Sequence, residues 1–360
     1  MAENEIIVVA GARPNFMKVA PLCRALRADG TYVVRLVHTG QHYAPVLSDQ
    51  IMRDLELPEP QHHLGVGSAS PSIQLAKILE AMDEVLIQDP PQAVVVVGDV
   101  TSTLAAALAA ANRSVPVVHV EAGLRSRDWT MPEERNRVLV DRLSGLLFVT
   151  EPSGVDNLRV EGVTDGVHLV GNVMIDSLRA ILPRAAVSDV QARLGLEGKK
   201  YSVLTLHRPS NVDDTACLDR MLQSLAPVAV EAPLVFPVHP RTRARLEGLS
   251  IPAGLMCVDP MGYTDFIGLV SRSALTLTDS GGLQEETTVL GVPCLTLRKN
   301  TERPITVEIG SNVVVGDDAV TIRELGQKAL AGEWKQSAVP DNWDGNAAAR
   351  IVEILVQELA

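Results

Sequence analysis

The run AVVVVGD at residues 93–99 holds four valines in succession before Gly98 and Asp99. Neighbouring side chains on a strand point to opposite faces, so an unbroken apolar run needs cover on both sides of its sheet. Runs of the same kind recur at EIIVVAG (5–11), VVRLVHTG (33–40), VPVVHVE (115–121), GLLFVTE (145–151) and VHLVGN (167–172). Helical patterns separate them, among them 15–29, 72–88 and 101–113. Parallel strands joined by right-handed helical crossovers satisfy this alternation. The predicted class is therefore α/β, built on a doubly wound parallel sheet.

The pattern then restarts. SVLTLH (202–207), LVFPVH (234–239), LMCVDP (255–260), ALTLTDS (274–280), PCLTLR (293–298) and NVVVG (312–316) read as a second set of strands, with helices over 217–231 and 264–273 between them. A chain of 360 residues exceeds one compact core and fits two such domains. We place them at 1–172 and 173–345, with the charged stretch 173–200 as the crossing and a last helix over 346–360. From the residues alone that helix is free to pack on either half.

Composition removes several functions. The net charge of −12 opposes general nucleic-acid binding, although arginines gathered at helix N-termini still suit a small anion. Four scattered cysteines (Cys23, Cys217, Cys257, Cys294) form neither a disulfide framework nor a zinc spacing, so no metal site is expected and a reducing cytoplasm is the default. The start MAENEIIVVAGARP is acidic where a signal peptide is basic, and no apolar stretch approaches about 20 residues, so no membrane association is expected.

Open parallel sheets bind ligands beyond the C-terminal ends of their strands, and the polar motifs fall there. GARPNFMK (11–18) follows the first strand, with Arg13 and Lys18 beside a helix N-terminus; an ordinary strand-to-helix turn would read the same. It is not a GxGxxG fingerprint. Asp99 ends its valine run, where helix capping is the common role. His207 and Arg208 in TLHRPSN, and His239 followed by Arg241 and Arg243, form two strand ends that suit a polyanion. In TDSGGLQEET (278–287), Ser280 can cap a helix, Gly281 and Gly282 admit a ligand to backbone amides, and Glu286 falls almost two turns on. Those amides suit a phosphate and that carboxylate two ribose hydroxyls; a capped helix with Gln284, Glu285 and Glu286 in solvent is the plain alternative. HVEAGLRSRDWTMPEERNR (119–137) carries four carboxylates and four arginines behind a buried run. We read Glu121 and Glu133 as candidate reacting acids and Arg125 as the residue that orients their loop. Arg127 and Asp128 read as surface, and Glu134, Arg135 and Arg137 as helix ion pairs.

Taken in order, GARPNFMK, TGQH (39–42), GDVTST, HVEAGLRS, PEERNR, GN (171–172), HR (207–208), TDSGGLQEE and NTERP (300–304) resemble the non-hydrolysing UDP-N-acetylglucosamine 2-epimerase family, from about residue 5 to about 355. The resemblance implies a GT-B-like fold of two Rossmann-type domains with the UDP-sugar in the cleft between them, and a C-terminal helix returning to the first domain. It implies reversible interconversion of UDP-GlcNAc and UDP-ManNAc through a 2-acetamidoglucal, by a cytoplasmic homodimer that uses no NAD or other cofactor and serves cell-surface polysaccharide synthesis. Asp99, Glu121, Glu133 and His207 would be catalytic. Arg13, Lys18, Arg125, His239, Ser280, Gly281, Gly282, Glu286 and Arg303 would bind substrate, with Arg303 on the rim. The chain departs from the family at Pro209-Ser210, where a second Arg and a Glu are common, at Tyr43-Ala44-Pro45, and at Ile305. The first two stretches help form a second, activating UDP-GlcNAc site in many bacterial members. That regulation is therefore not carried over.

Overall fold

A computed structural model describes residues 4–11, 13–40, 52–67 and 69–359; the side chains at 13, 14, 209, 240 and 241 lie outside that description. The stretch Tyr43-Ala44-Pro45 and the last two residues of TGQH, Gln41 and His42, fall outside it too. The chain divides into two compact units, one of Met1–Ala180 with Asp341–Ala360 and one of Ile181–Pro340.

In the first unit the order is β1 (Glu5–Ala10), α1 (Arg13–Asp29), β2 (Val33–His38), β3 (His62–His63), α2 (Pro71–Gln88), β4 (Ala93–Val97), α3 (Thr101–Asn112), β5 (Val117–Ala122), α4 (Pro132–Leu143), β6 (Leu146–Val149), α5 (Pro152–Val160) and β7 (Val167–Leu169); the helix α6 (Val173–Ala186) spans the division between the units. The second runs α7 (Val190–Arg193), β8 (Ser202–Thr205), α8 (Pro209–Val212), α9 (Thr215–Glu231), β9 (Leu234–Pro237), α10 (Pro240–Leu246), β10 (Leu255–Val258), α11 (Tyr263–Val270), β11 (Leu275–Thr278), α12 (Gly281–Leu290), β12 (Cys294–Thr296), α13 (Pro304–Glu308), β13 (Asn312–Val314) and α14 (Ala319–Ala331). The chain closes with α15 (Ala347–Glu358), which belongs to the first unit.

Each unit holds one sheet in which every described pair of strands is parallel. The orders are β3-β2-β1-β4-β5-β6-β7 and β10-β9-β8-β11-β12-β13. Both are doubly wound, and the α/β class expected from the valine runs is borne out. The strand order reverses between β1 and β4 in the first sheet and between β8 and β11 in the second. These are the switch points where the following helices leave to opposite faces and open a crevice. The valines of β4 are covered on both faces and at most 1% exposed. The alanine-rich α3 lets neighbours approach closely, and Ala105, Ala106, Ala107 and Ala110 are fully buried. The stretch 173–200, read as a crossing, begins as the helix α6. Among the described residues no helix is long and apolar enough to cross a membrane.

The C-terminal segment is pinned to the first unit by polar bonds as well as packing. The Trp343 indole donates to the Thr150 carbonyl at 3.0 Å and the Tyr32 hydroxyl to the Leu355 carbonyl at 3.1 Å. Gly171, with φ +89°, lies against the Asn342 backbone, where a side chain would collide; this accounts for the glycine of the GN pair. Asp176 on α6 accepts from the free amides of Ala347 (3.1 Å) and Ala348 (2.7 Å), capping α15 from outside its own helix. Burial pushes the Asp176 carboxyl up to about 6, against the pull of those two amides. A carboxyl that ionises less readily folded than unfolded costs stability above that value and regains it as pH falls toward its ordinary 3.8. Relative to Asp176→Asn, the wild-type unfolding free energy should therefore rise between about pH 7 and about pH 5 in urea titrations. A difference that is flat or of opposite slope would show that Asp176 does not set the balance.

Candidate functional site

At the first switch point, three chain segments meet. Gly98 follows β4 with φ +69°; a side chain there would come within 3.3 Å of the Lys18 ammonium and 3.8 Å of a Glu121 carboxylate oxygen. Lys18, from the second turn of α1, is ion-paired with Glu121 at the end of β5, and both are buried. Asn15, one turn earlier on α1, donates to the Val97 carbonyl at 2.8 Å and fixes the start of that helix on β4.

Glu121 sits in an unusual backbone state. Its φ is +71°, and the pairing of β5 with β6 shifts register between Val120 and Ala122, so Glu121 is the extra residue of a β-bulge. Bulges re-aim side chains beside functional sites, and a non-glycine residue at positive φ stores strain that its surroundings must hold. A network centred on the fully buried His119 and Asp141 side chains lies beside it. The ring nitrogens of His119 reach the Asp141 carboxylate at 2.7 Å and the Gly98 carbonyl at 2.9 Å. Asp141 also accepts from the Gly123 amide at 3.2 Å and pairs with Arg125 at 2.7 Å. Arg125 holds Glu161 through two bonds of 2.8 Å and donates to the Leu124 carbonyl. Burial raises the Asp141 carboxyl, but His119 and Arg125 outweigh it and hold the group below its usual range. Arg125 therefore orients the loop, and the partners of its guanidinium all belong to that scaffold.

Asp99 is ion-paired with Arg137, and its carbonyl accepts from the Asn136 side-chain Nδ2 at 2.8 Å. Arg137 and Glu134 read as helix ion pairs; their i,i+3 pair exists, but it is buried and links α4 both to Asp99 and to the preceding loop. Glu134 accepts from the Ser126 amide (2.9 Å) and the Arg127 amide (2.8 Å). Its desolvation is outweighed by these bonds and by Arg137, which hold its carboxyl down. Glu133 is half-buried in the first turn of α4 and makes no hydrogen bond or ion pair among the described residues. Lys18, Glu121 and the Asp99 turn are thus brought together, while Glu133 makes no bond to them among the described residues. The side chain of Arg13 lies outside the described atoms.

The second switch point is organised by Asp279, which our sequence reading did not single out. It is fully buried at the end of β11. It accepts from the amides of His207 (3.1 Å) and Arg208 (2.9 Å) and from the Asn211 side chain (3.0 Å), and pairs with the His207 Nδ1 at 2.8 Å. The His207 side chain stays 55% exposed. Burial raises the Asp279 carboxyl, yet His207, Arg208 and Asn211 bring it below its ordinary range. Ser280 caps α12 by accepting from the Leu283 amide at 3.5 Å. Gln284, Glu285 and Glu286 are all buried, so the solvent-facing alternative is excluded. The Tyr263 hydroxyl donates to Glu286 at 2.6 Å. Burial pushes the Glu286 carboxyl up to about 7, opposed by Tyr263 and assisted by Glu285.

Arg303 is buried rather than on a rim, which corrects that expectation. It binds Glu285 and Glu302, each at 2.6 Å, and packs where Gly281 lacks a side chain. The absence of a Cβ at Gly281 therefore makes room for Arg303. His239 is half-buried, and its carbonyl accepts from the Arg243 amide at 2.9 Å. The Arg243 guanidinium binds Asp259 at 2.9 Å and the Val258 carbonyl at 3.0 Å; the Arg241 side chain is outside the described atoms.

His119 and Asp141 were also missed. One polar residue inside VPVVHVE was a usable signal, because a buried imidazole in a two-faced strand must find partners.

A family model described as UDP-N-acetylglucosamine 2-epimerase matches residues 24–356. A UDP-N-acetylglucosamine 2-epimerase of Methanococcus maripaludis is 36% identical, over 98% of this chain and 99% of its own. A UDP-2,3-diacetamido-2,3-dideoxy-D-glucuronate 2-epimerase of Pseudomonas aeruginosa is 37% identical over the same shares. The crystal structure of Methanocaldococcus jannaschii UDP-GlcNAc 2-epimerase in complex with UDP-GlcNAc and UDP superposes with a TM-score of 0.90 at 36% identity, covering 98% of this chain and 99% of that one. The GT-B-like fold expected from the sequence is borne out.

Proposed function

Because the chain belongs to the UDP-N-acetylglucosamine 2-epimerase family, we propose that it interconverts UDP-GlcNAc and UDP-ManNAc by eliminating UDP and adding it back. The observation that carries this reading is the buried Lys18–Glu121 pair on a strained strand end beside Asp99, in a chain matched along nearly its whole length.

The C2 hydrogen of the sugar is not acidic, so direct inversion would demand a very strong base. Elimination avoids that. The C1–O bond breaks with its electron pair leaving on UDP, the C2 proton passes to a base, and a C1–C2 double bond forms in a 2-acetamidoglucal. A UDP oxygen then attacks C1 while a proton is delivered to C2 from the opposite face. One carboxylate cannot readily serve both faces, and oxocarbenium character at C1 needs negative charge nearby. Asp99, Glu121 and Glu133 fill these three needs in this proposal. Arg13, Lys18, His207 and the N-terminus of α12 at Ser280, Gly281 and Gly282 stabilise the departing diphosphate. Glu286 takes the ribose hydroxyls, with Tyr263 holding it. Arg125 holds the loop that follows Glu121, and Arg303 packs against Gly281; His239 keeps in this proposal the substrate-binding role that the resemblance implies. The homodimer implied by the family is part of the proposal, and light scattering would read it.

The test is incubation of UDP-GlcNAc with the protein in heavy water, followed by proton NMR. UDP-ManNAc carrying deuterium at C2 is expected. The Pseudomonas relative is named for a different sugar, so UDP-2,3-diacetamido-2,3-dideoxy-glucuronate is offered in parallel. Turnover of that sugar alone would move the substrate while keeping the chemistry. Release of UDP without an epimer would favour a hydrolase or transferase, and binding without turnover a sensor; either would overturn the proposal.

A further inference from the structure

We propose that His119 is a positioning residue for Glu121, whose two ring nitrogens clamp the turn after β4 to the turn after β5. This rests on the reading of Glu121 as a reacting carboxylate.

The protonation state follows from the partners. His119 is fully buried, and each ring nitrogen faces a group that accepts hydrogen bonds: the Gly98 carbonyl at 2.9 Å and the Asp141 carboxylate at 2.7 Å. A carbonyl oxygen has no proton to give. Asp141 also receives Arg125 and the Gly123 amide, a set of donors that suits an ionised carboxylate. Both ring nitrogens must then carry protons. The charge is balanced in place: the imidazolium and Arg125 face Asp141 and Glu161, so no buried cation stands alone.

The clamp closes around Glu121. On one side His119 holds the Gly98 carbonyl, one peptide before Asp99. On the other, through Asp141, it holds the amide of Gly123, two residues past Glu121. Gly98, Glu121 and Gly123 all have positive φ, at +69°, +71° and +79°. Glycine accepts that region freely, whereas glutamate does so only where neighbouring contacts fix the backbone. Release of the clamp lets the bulge relax and carries the carboxylate away from Lys18 and the Asp99 turn.

Two measurements test this. In 15N-labelled wild type, two-bond proton–nitrogen correlations at neutral pH should show a proton on each His119 ring nitrogen, as its two acceptors require. A neutral tautomer there overturns the proposal. In the kinetic arm, His119→Gln and Asp141→Asn should lower kcat per folded molecule about 10- to 100-fold while KM moves less than about threefold. Adding His119→Gln to Glu121→Gln should lower kcat no further, because both changes act through one carboxylate. A folded variant with unchanged kcat, a loss confined to KM, or an additive double variant each overturns it. If neither variant folds, the NMR result on wild type decides. Failure of the wild type to epimerise would instead strike the functional reading, since the imidazolium signature is read without turnover.

Discussion

Glu121→Gln should lower epimerisation by about 10³-fold, within the usual range for removing an acid–base group, and leave the fold intact. The substitution keeps size, shape and one acceptor oxygen, so the Lys18 ammonium retains a hydrogen-bond partner. It adds no new backbone cost, because glutamine and glutamate pay alike for φ +71°. It removes the negative charge and the proton-carrying oxygen. The C2 exchange assay in heavy water reads the chemical step, and calorimetric titration with UDP reads binding. Exchange within about threefold of wild type in a folded Glu121→Gln protein would remove Glu121 from the chemistry. Asp128→Asn supplies the contrast. Asp128 accepts from the Thr130 amide and hydroxyl at 3.0 and 2.6 Å in an open turn, and its loss should change neither rate nor stability measurably.

Much of this architecture was legible because its physics is local. Four valines in a row admit one environment, and the run at 93–97 appears as a central strand. The edge strand His62–His63 was not legible. It has two residues and no apolar run, and exists only by pairing with Val37 and His38. The location of the site was legible for a related reason: a polar residue ending an apolar strand must leave the sheet, and in a parallel sheet all strands end on one side. The pairings inside the site were not. Four acids and four bases over 119–137 admit many matings, and the sequence does not say which of Glu133 and Glu134 faces inward. They lie about 100° apart around one helix. The fold sends Glu134 to the loop amides and Arg137 to Asp99, so a stretch that reads as solvated charge contains a buried frame. The same applies to Arg303, whose position under Gly281 depends on a turn about 20 residues later in the chain.

Asp279→Ala should be strongly destabilising to the second unit, costing about 3–5 kcal/mol, the range for breaking a buried charged network. The carboxylate is fully buried, and four donor groups converge on it. Alanine would leave the amides of His207 and Arg208 and the Asn211 side chain without their acceptor in a place water reaches poorly. The cost also has a pH signature. The folded Asp279 carboxyl lies below its ordinary value, so its contribution is fully present above about pH 4 and is lost as pH falls through the folded value. Chemical unfolding of wild type and variant across acid pH should therefore give curves that are well separated near neutrality and converge in acid. Asp279→Asn is expected to fall between them, since its amide oxygen still accepts from the Arg208 amide but carries no negative charge. The kinetic consequence follows from the same bonds. His207 owes both its backbone position and its ring contact to Asp279, so in either variant, assayed below its unfolding temperature, loss of rate should accompany loss of stability. A variant that unfolds like wild type, or whose separation from it widens in acid, would show that the strand end is held by something other than this carboxylate.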